Sequence, residues 1–148
     1  LYNWATALNA CPEGWHLPSR EEWQTLVDFA GGNYVSARKL KSKNGWKEFD
    51  FSEESPKSPK CKWKVMSVDG IIERNVCNTD EYRFSALPGG SGYSDGSFNA
   101  VGNVGYWWSS SRESSSSAWS RYMFYDDNYV YWGDYGKSHL FSVRCVKD

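Results

Sequence analysis

Residues 117–146 read SAWSRYMFYDDNYVYWGDYGKSHLFSVRCV. Runs 117–125, 129–132 and 139–146 in this stretch are rich in Tyr, Trp, Phe and Val and have strand character. Asp126-Asp127-Asn128 is a natural turn between the first two. A further run, YWWSSS at 106–111, precedes them. The carboxyl half is therefore expected to be antiparallel β. A half-buried strand alternates between an apolar and a polar face. Residues 141–145 do so: Phe141, Val143 and Cys145 share one phase, Ser142 and Arg144 the other. Residues 117–125 do not. Trp119, Arg121, Met123 and Tyr125 fall in one phase, Ser120, Tyr122 and Phe124 in the other. After the turn, Tyr129 and Tyr131 alternate with Val130 and Trp132.

Two accounts fit this pattern. Either the strands are buried on both faces and their large side chains fill core, or one face packs inward while the other displays an aromatic, polar surface. The interruptions at Asp126, Asp127, Gly133, Asp134 and Gly136 weigh toward the second. Tyr and Trp give contact area at low entropic cost and carry a polar handle, so they are favoured where a surface binds. The candidate ligand-binding residues are Ser120, Tyr122, Phe124, Asp126, Asp127, Asn128, Tyr129, Tyr131, Trp132, Asp134, Tyr135 and His139.

The amino half has a different grammar. Trp4, Ala7 and Leu8 recur at i, i+3 and i+4, the pattern of a short helix. CPEGWHLP (11–18) reads as a fixed loop. Ser19 and Glu22 then form a capping box, and Trp23, Leu26, Val27 and Ala30 line one face, so a helix is expected over 19–30, stopped by Gly31-Gly32. Residues 35–40 suit one more basic helical turn. FDFSEESPKSPK (49–60) is a polar linker. Residues 61–77 run from Cys to Cys around Asp69-Gly70, a hairpin signal, so 53–77 is expected to be an inserted hairpin that a Cys61–Cys77 bridge would close. The glycine-rich stretch 84–105 reads as a long loop. Helices near the N-terminus followed by antiparallel strands make the class α+β.

Composition sets outer bounds. At 148 residues, a single domain over 1–148 is the default. A net charge of −1 supplies no basic field for a phosphate backbone, which disfavours nucleic acid as a partner. No run approaches the ~18 consecutive apolar residues of a membrane-spanning helix, so the chain is not expected to span a membrane. Nine Trp, ten Tyr and seven Phe are the unusual feature, and they concentrate attention on the aromatic half. Cys11, Cys61, Cys77 and Cys145 lie in no CxxC or Cys/His metal spacing. An even, widely spaced set reads as two disulfides and an oxidising compartment, with four buried thiols as the rival. The chain begins at Leu1 with no Met or signal peptide, so it is expected to be a mature or excised piece.

Catalytic signals are sparse. HExxH, GxSxG, P-loop and GxGxxG are absent, and His16 and His139 are the only histidines. His16 sits in a structural loop, while His139 adjoins the candidate surface. Glu21-Glu22 open a helix and Glu53-Glu54 lie in the linker, positions that suit solvation rather than acid–base work. No cofactor is expected. Asp126, Asp127 and Asn128 offer oxygens to calcium, yet a turn explains them as well and no EF-hand spacing supports a site.

The strings LYNWATALNACPEGWHLPSREEW (1–23), TDEYRFSALPGG (79–90), GYWWSSS (105–111) and FSVRCVKD (141–148) resemble the Fibrobacter succinogenes major paralogous domain family of bacterial surface and secreted proteins. The layout is similar to a C-type-lectin-like fold with a twisted antiparallel sheet and long loops. That resemblance implies a bridge between Cys11 and Cys145, and the scaffold without calcium-dependent sugar binding, because Glu-Pro-Asn and Trp-Asn-Asp are missing. Some lectin-like proteins of bacteria and phages have carboxyl-terminal strands diversified by retroelements. Here Ala118, Trp119, Arg121, Met123, Tyr125, Val130 and Lys137 resemble the framework, and the residues between them resemble the varied positions. Trp132 is not readily reached from an asparagine codon and departs from that pattern.

The expected function is a non-catalytic binding module, secreted or on a bacterial cell surface, with lipoprotein anchoring through a missing segment as one route. Its ligand would be a protein or a carbohydrate. The rivals are a formylglycine-generating-like enzyme, for which Cys61 and Cys77 would be the cysteine pair, and a structural packing domain of a larger surface protein.

Overall fold

The computed structural model describes residues 1–47, 62–67, 70–75 and 78–148. In chain order the elements are α1 (Trp4–Ala7), β1 (Trp15–His16), α2 (Arg20–Phe29), α3 (Ser36–Leu40), β2 (Lys62–Ser67), β3 (Gly70–Asn75), β4 (Ser91–Gly92), β5 (Phe98–Asn99), β6 (Val104–Arg112), β7 (Ser117–Phe124), β8 (Tyr131–Gly136) and β9 (Val146–Lys147). The class is α+β, with antiparallel sheets.

The helices start where side chains satisfy their free amides. Asn3 Oδ1 accepts from Thr6 N at 2.9 Å to open α1. In α2 the capping box is complete: Ser19 Oγ accepts from Glu22 N at 3.1 Å and Glu22 Oε2 from Ser19 N at 2.8 Å. Gly31 and Gly32 end it at φ +107° and +87°, which a side chain would oppose. β2 and β3 pair antiparallel from Lys62↔Asn75 to Ser67↔Gly70. The Cys61–Cys77 bridge and the linker 49–60 lie outside the described residues.

The main sheet has the order β6-β7-β8. Trp107↔Arg121↔Trp132 marks its back face and Tyr106↔Tyr122↔Tyr131 its front face. The back face packs on α2 and α3 through Trp23, Val27, Ala37, Leu40, Trp107 and Met123. Burying a side chain such as Val27 stabilises the fold by roughly 1.5–3 kcal/mol. Among the described residues the front face is covered at one end, where Trp108 and Ala118 meet Ala7, Leu17 and Phe141. Buried indoles find carbonyls: Trp108 Nε1 donates to Tyr2 O at 2.8 Å and Trp46 Nε1 to Ala86 O at 3.0 Å.

The two ends of the chain meet. Tyr2 bridges Phe141, β1 pairs with β9, and Cys11 is bonded to Cys145 with 5.7 Å between their Cα atoms. His16 joins the same seam, with Nδ1 2.6 Å from Asp148 Oδ1 and Nε2 2.8 Å from Glu22 Oε1.

The strand boundaries differ from the sequence reading in four places. The second run begins at Tyr131, not 129, because Val130 N donates to Asn33 O at 2.9 Å and ties that residue to the α2–α3 loop. It then continues through Gly133 to Gly136, residues expected to interrupt it. A Cβ on Gly133 would come within 2.5 Å of Tyr135 Cε2 and 3.0 Å of Tyr122 Cε1, so its bareness makes room for both rings. The run 139–146 is not one strand: Leu140, Phe141 and Ser142 bridge three different partners, Gly92, Tyr2 and Trp107. The 84–105 stretch contains the small β4–β5 pair.

Candidate functional site

Beyond its covered end, the front face is a field of half-buried rings. Tyr122 and Tyr131, direct cross-strand partners, stack with centroids 5.1 Å apart and planes at 11°. Phe124 meets Tyr131 edge-on at 5.6 Å. Tyr135 lies 6.2 Å from Tyr122 and 5.9 Å from His139. Tyr129 packs 4.5 Å from Tyr131. The field is split rather than uniform, because the covered end is core and the open end is surface. Trp108, Ala118 and Ser120 are fully buried at the covered end, and Tyr122, Phe124, Tyr131 and Tyr135 are partly buried beyond it.

Burial holds the Tyr122 and Tyr106 hydroxyls above the ordinary tyrosine range, and it raises Tyr135 further with the help of those two neighbours. The Tyr131 hydroxyl donates to Asp127 Oδ2, and that bond, with burial second, pushes its pKa up to about 12. All four are neutral hydroxyls near pH 7, able to donate and accept hydrogen bonds. Asp127 Oδ1 also accepts from Tyr129 N at 2.9 Å, so one carboxylate orients two tyrosines.

The loop beneath these groups is held from inside. Lys41 is 1% exposed, and its Nζ donates to Phe124 O at 2.8 Å and Asp127 O at 2.7 Å, with Tyr125 O at 3.4 Å. Burial pulls its pKa down to about 8, opposed by Asp127 and Asp126, so it is mostly protonated at neutral pH.

On the back face Arg121 is fully buried. Its guanidinium donates to Gln24 Oε1 and to Asn33 Oδ1 at 3.2 Å, and lies 3.4 Å from the centre of the Trp132 ring. Arg20 sits over Trp119 at 4.1 Å and near Trp132 at 5.3 Å.

Of the expected surface residues, Tyr122, Phe124, Asp127, Tyr129, Tyr131, Tyr135 and His139 gather on or around the open front face. Asp126 and Asn128 lie partly buried in the β7–β8 connection, with Asn128 O accepting from Ala37 N at 3.2 Å. Three residues are placed elsewhere. Ser120 is fully buried, its hydroxyl donating to Gly133 O at 3.2 Å, because it lies under the covered end. Trp132 and Asp134 alternate onto the back face, as strand period dictates. Sequence reasoning missed Tyr106, Tyr93 and Tyr34. Tyr93 meets His139 at 5.4 Å and Tyr34 meets Tyr129 at 4.9 Å, extending the ring field onto two distant loops. Tyr106 was legible through its phase in YWWSSS; the two loop tyrosines have no periodic signal.

Among the described residues no group of three or more His, Cys, Asp or Glu is arranged to hold a metal ion. No described helix is long and apolar enough to cross a membrane.

The fold and site define a small, disulfide-tied α+β domain with an aromatic sheet face. Residues 1–147 match the model of the Fibrobacter succinogenes major domain, and the chain belongs to that bacterial family. No curated protein and no solved structure matches it.

Proposed function

We propose that the domain is a binding module without catalytic activity, built on a C-type-lectin-like scaffold, whose ligand surface is the open front face. The observation that carries this reading is the run of half-exposed tyrosines Tyr122, Tyr131 and Tyr135, pre-oriented by Asp127 and by Lys41 beneath the loop. Such a surface loses little entropy on binding. Its ligand is a protein or carbohydrate met outside the cell or at its surface, a setting that suits the Cys11–Cys145 bridge. The arrangement also supports retroelement diversification. Framework-like Trp119, Arg121 and Met123 share the packed back face, and the varied-type Tyr122, Phe124, Tyr131 and Tyr135 share the open one. Trp132, which departs from the varied pattern, stands with the framework on the back face.

The test is the triple variant Tyr122→Ala/Tyr131→Ala/Tyr135→Ala on glycan and protein arrays. Loss of array binding with an unchanged circular dichroism spectrum is expected. Retained binding by the folded triple variant would remove the site.

A further inference from the structure

The main sheet has unequal edges. The outer edge of β6 is closed: Gly90 N donates to Val104 O at 2.8 Å, Ser142 N to Tyr106 O at 3.0 Å, and Trp108 N to Ser142 O at 3.1 Å. Among the described residues, β8 is the other edge and pairs only with β7. Its cover stops at either end, where Val130 N donates to Asn33 O at 2.9 Å and His139 N to Gly136 O at 3.0 Å. Between them, among the described residues, the backbone of Trp132–Tyr135 makes no hydrogen bond on its outer side. Single-chain proteins usually blunt such an edge with Pro, Lys or a bulge. YWGDYG (131–136) has neither Pro nor Lys, and its register with β7 is unbroken.

Charge on this edge is also unbalanced. Asp134 is exposed on the back face and forms no ion pair among the described residues. Beside it on the same face, the exposed Arg20 lies near the Trp132 ring and forms no ion pair among the described residues, while Arg121 is buried beneath that ring.

We infer that β8 is a self-pairing edge whose occupant is a second copy of this chain, added antiparallel about a two-fold axis. The pleat limits the register. A two-fold axis normal to the sheet pairs residues of the same face, so an axis at a residue is required, and the longest overlaps centre on Gly133 or on Asp134. Centring on Asp134 sets two carboxylates directly opposite, which is destabilising. Centring on Gly133 sets Tyr131 opposite the partner's Tyr135, and Trp132 opposite the partner's Asp134. Each Asp134 then faces Trp132 of the other copy, with that copy's exposed Arg20 beside the ring. The two front faces merge into one aromatic surface on a six-stranded sheet. This inference does not rest on the ligand reading above.

Sedimentation equilibrium of the chain from about 10 µM to about 1 mM tests it, because an edge this short gives a weak dimer. A monomer–dimer equilibrium within that range is expected. Hydrogen exchange of the Trp132 and Asp134 amides, which point away from β7, should slow as concentration rises. Asp134→Lys, at an exposed position, should keep the unfolding midpoint and weaken the dimer by roughly tenfold or more, since lysine would meet the partner's Arg20. A wild-type monomer at every concentration overturns the inference. So does a dimer that Asp134→Lys leaves equally tight, or one that forms without protecting the Trp132 and Asp134 amides. Asp134 lies on the back face, so failure here and failure of the front-face array test are separate results.

Discussion

Lys41 shows how one side chain can set the shape of a surface it never reaches. Its Nζ collects the carbonyls of Phe124 and Asp127 and fixes the connection that carries Asp127 and Tyr129. Lys41→Met keeps the aliphatic bulk and strands those acceptors. Each buried acceptor left unpaired costs about 1–3 kcal/mol, so the variant should lose on the order of 2–4 kcal/mol. At about 2–4 °C per kcal/mol for a domain of this size, the unfolding midpoint should fall by roughly 5–15 °C. An unchanged midpoint would show that the loop holds itself. Nothing in the sequence marked this residue. A lysine next to a basic helical turn reads as solvated, and only tertiary packing makes it the inner support of a loop more than eighty residues away. Tyr131 and Asp127, by contrast, were legible as a pair of surface candidates, because a turn sequence followed by alternating tyrosines constrains both locally.

At the level of elements, α2 was the most readable part of the chain. Its capping box, apolar stripe and Gly-Gly stop are local signals, and they were met nearly residue for residue at Arg20–Phe29. β8 was less readable, since its start is set by a contact from Val130 to Asn33 and its glycines are there for neighbouring rings. The pairing of β1 with β9 was not readable at all, as two-residue strands carry no period. That seam should respond to pH through His16. Its pKa is raised above 6.5, first by hydrogen bonding to Asp148 and then to Glu22. A folded-state pKa above the unfolded one means stability that is full below the unfolded value and is lost as pH rises through the folded one. Glu22 has the opposite shift, lowered first by the Ser19 backbone N–H, so its contribution fades as pH falls through its own lowered value. Thermal unfolding followed across pH should therefore peak on the mildly acidic side. His16→Gln should flatten the decline at higher pH while leaving the acid limb, and a wild-type curve flat above pH 6.5 would contradict the assignment.

Across the whole molecule, the bridge between Cys11 and Cys145 spans a sequence separation of 134 residues. Chain-entropy arguments give a loop of that size about 4–5 kcal/mol of stabilisation. Cys11→Ala/Cys145→Ala should thus lower the unfolding midpoint by roughly 10–20 °C, and a scan showing no shift would mean the paired ends hold without it. The α+β class was legible from the order of helical and strand signals. The division of the front face into core and open surface was not, because it depends on where Phe141 and Ala7 come to rest against Trp108.

The bridge also governs what a single peptide-bond cleavage can do. A cut at any peptide bond between residues 11 and 145 leaves two pieces still covalently joined. A protease acting once would open the backbone without releasing a fragment, and under oxidising conditions the nicked form would keep the mass of the intact chain plus one water.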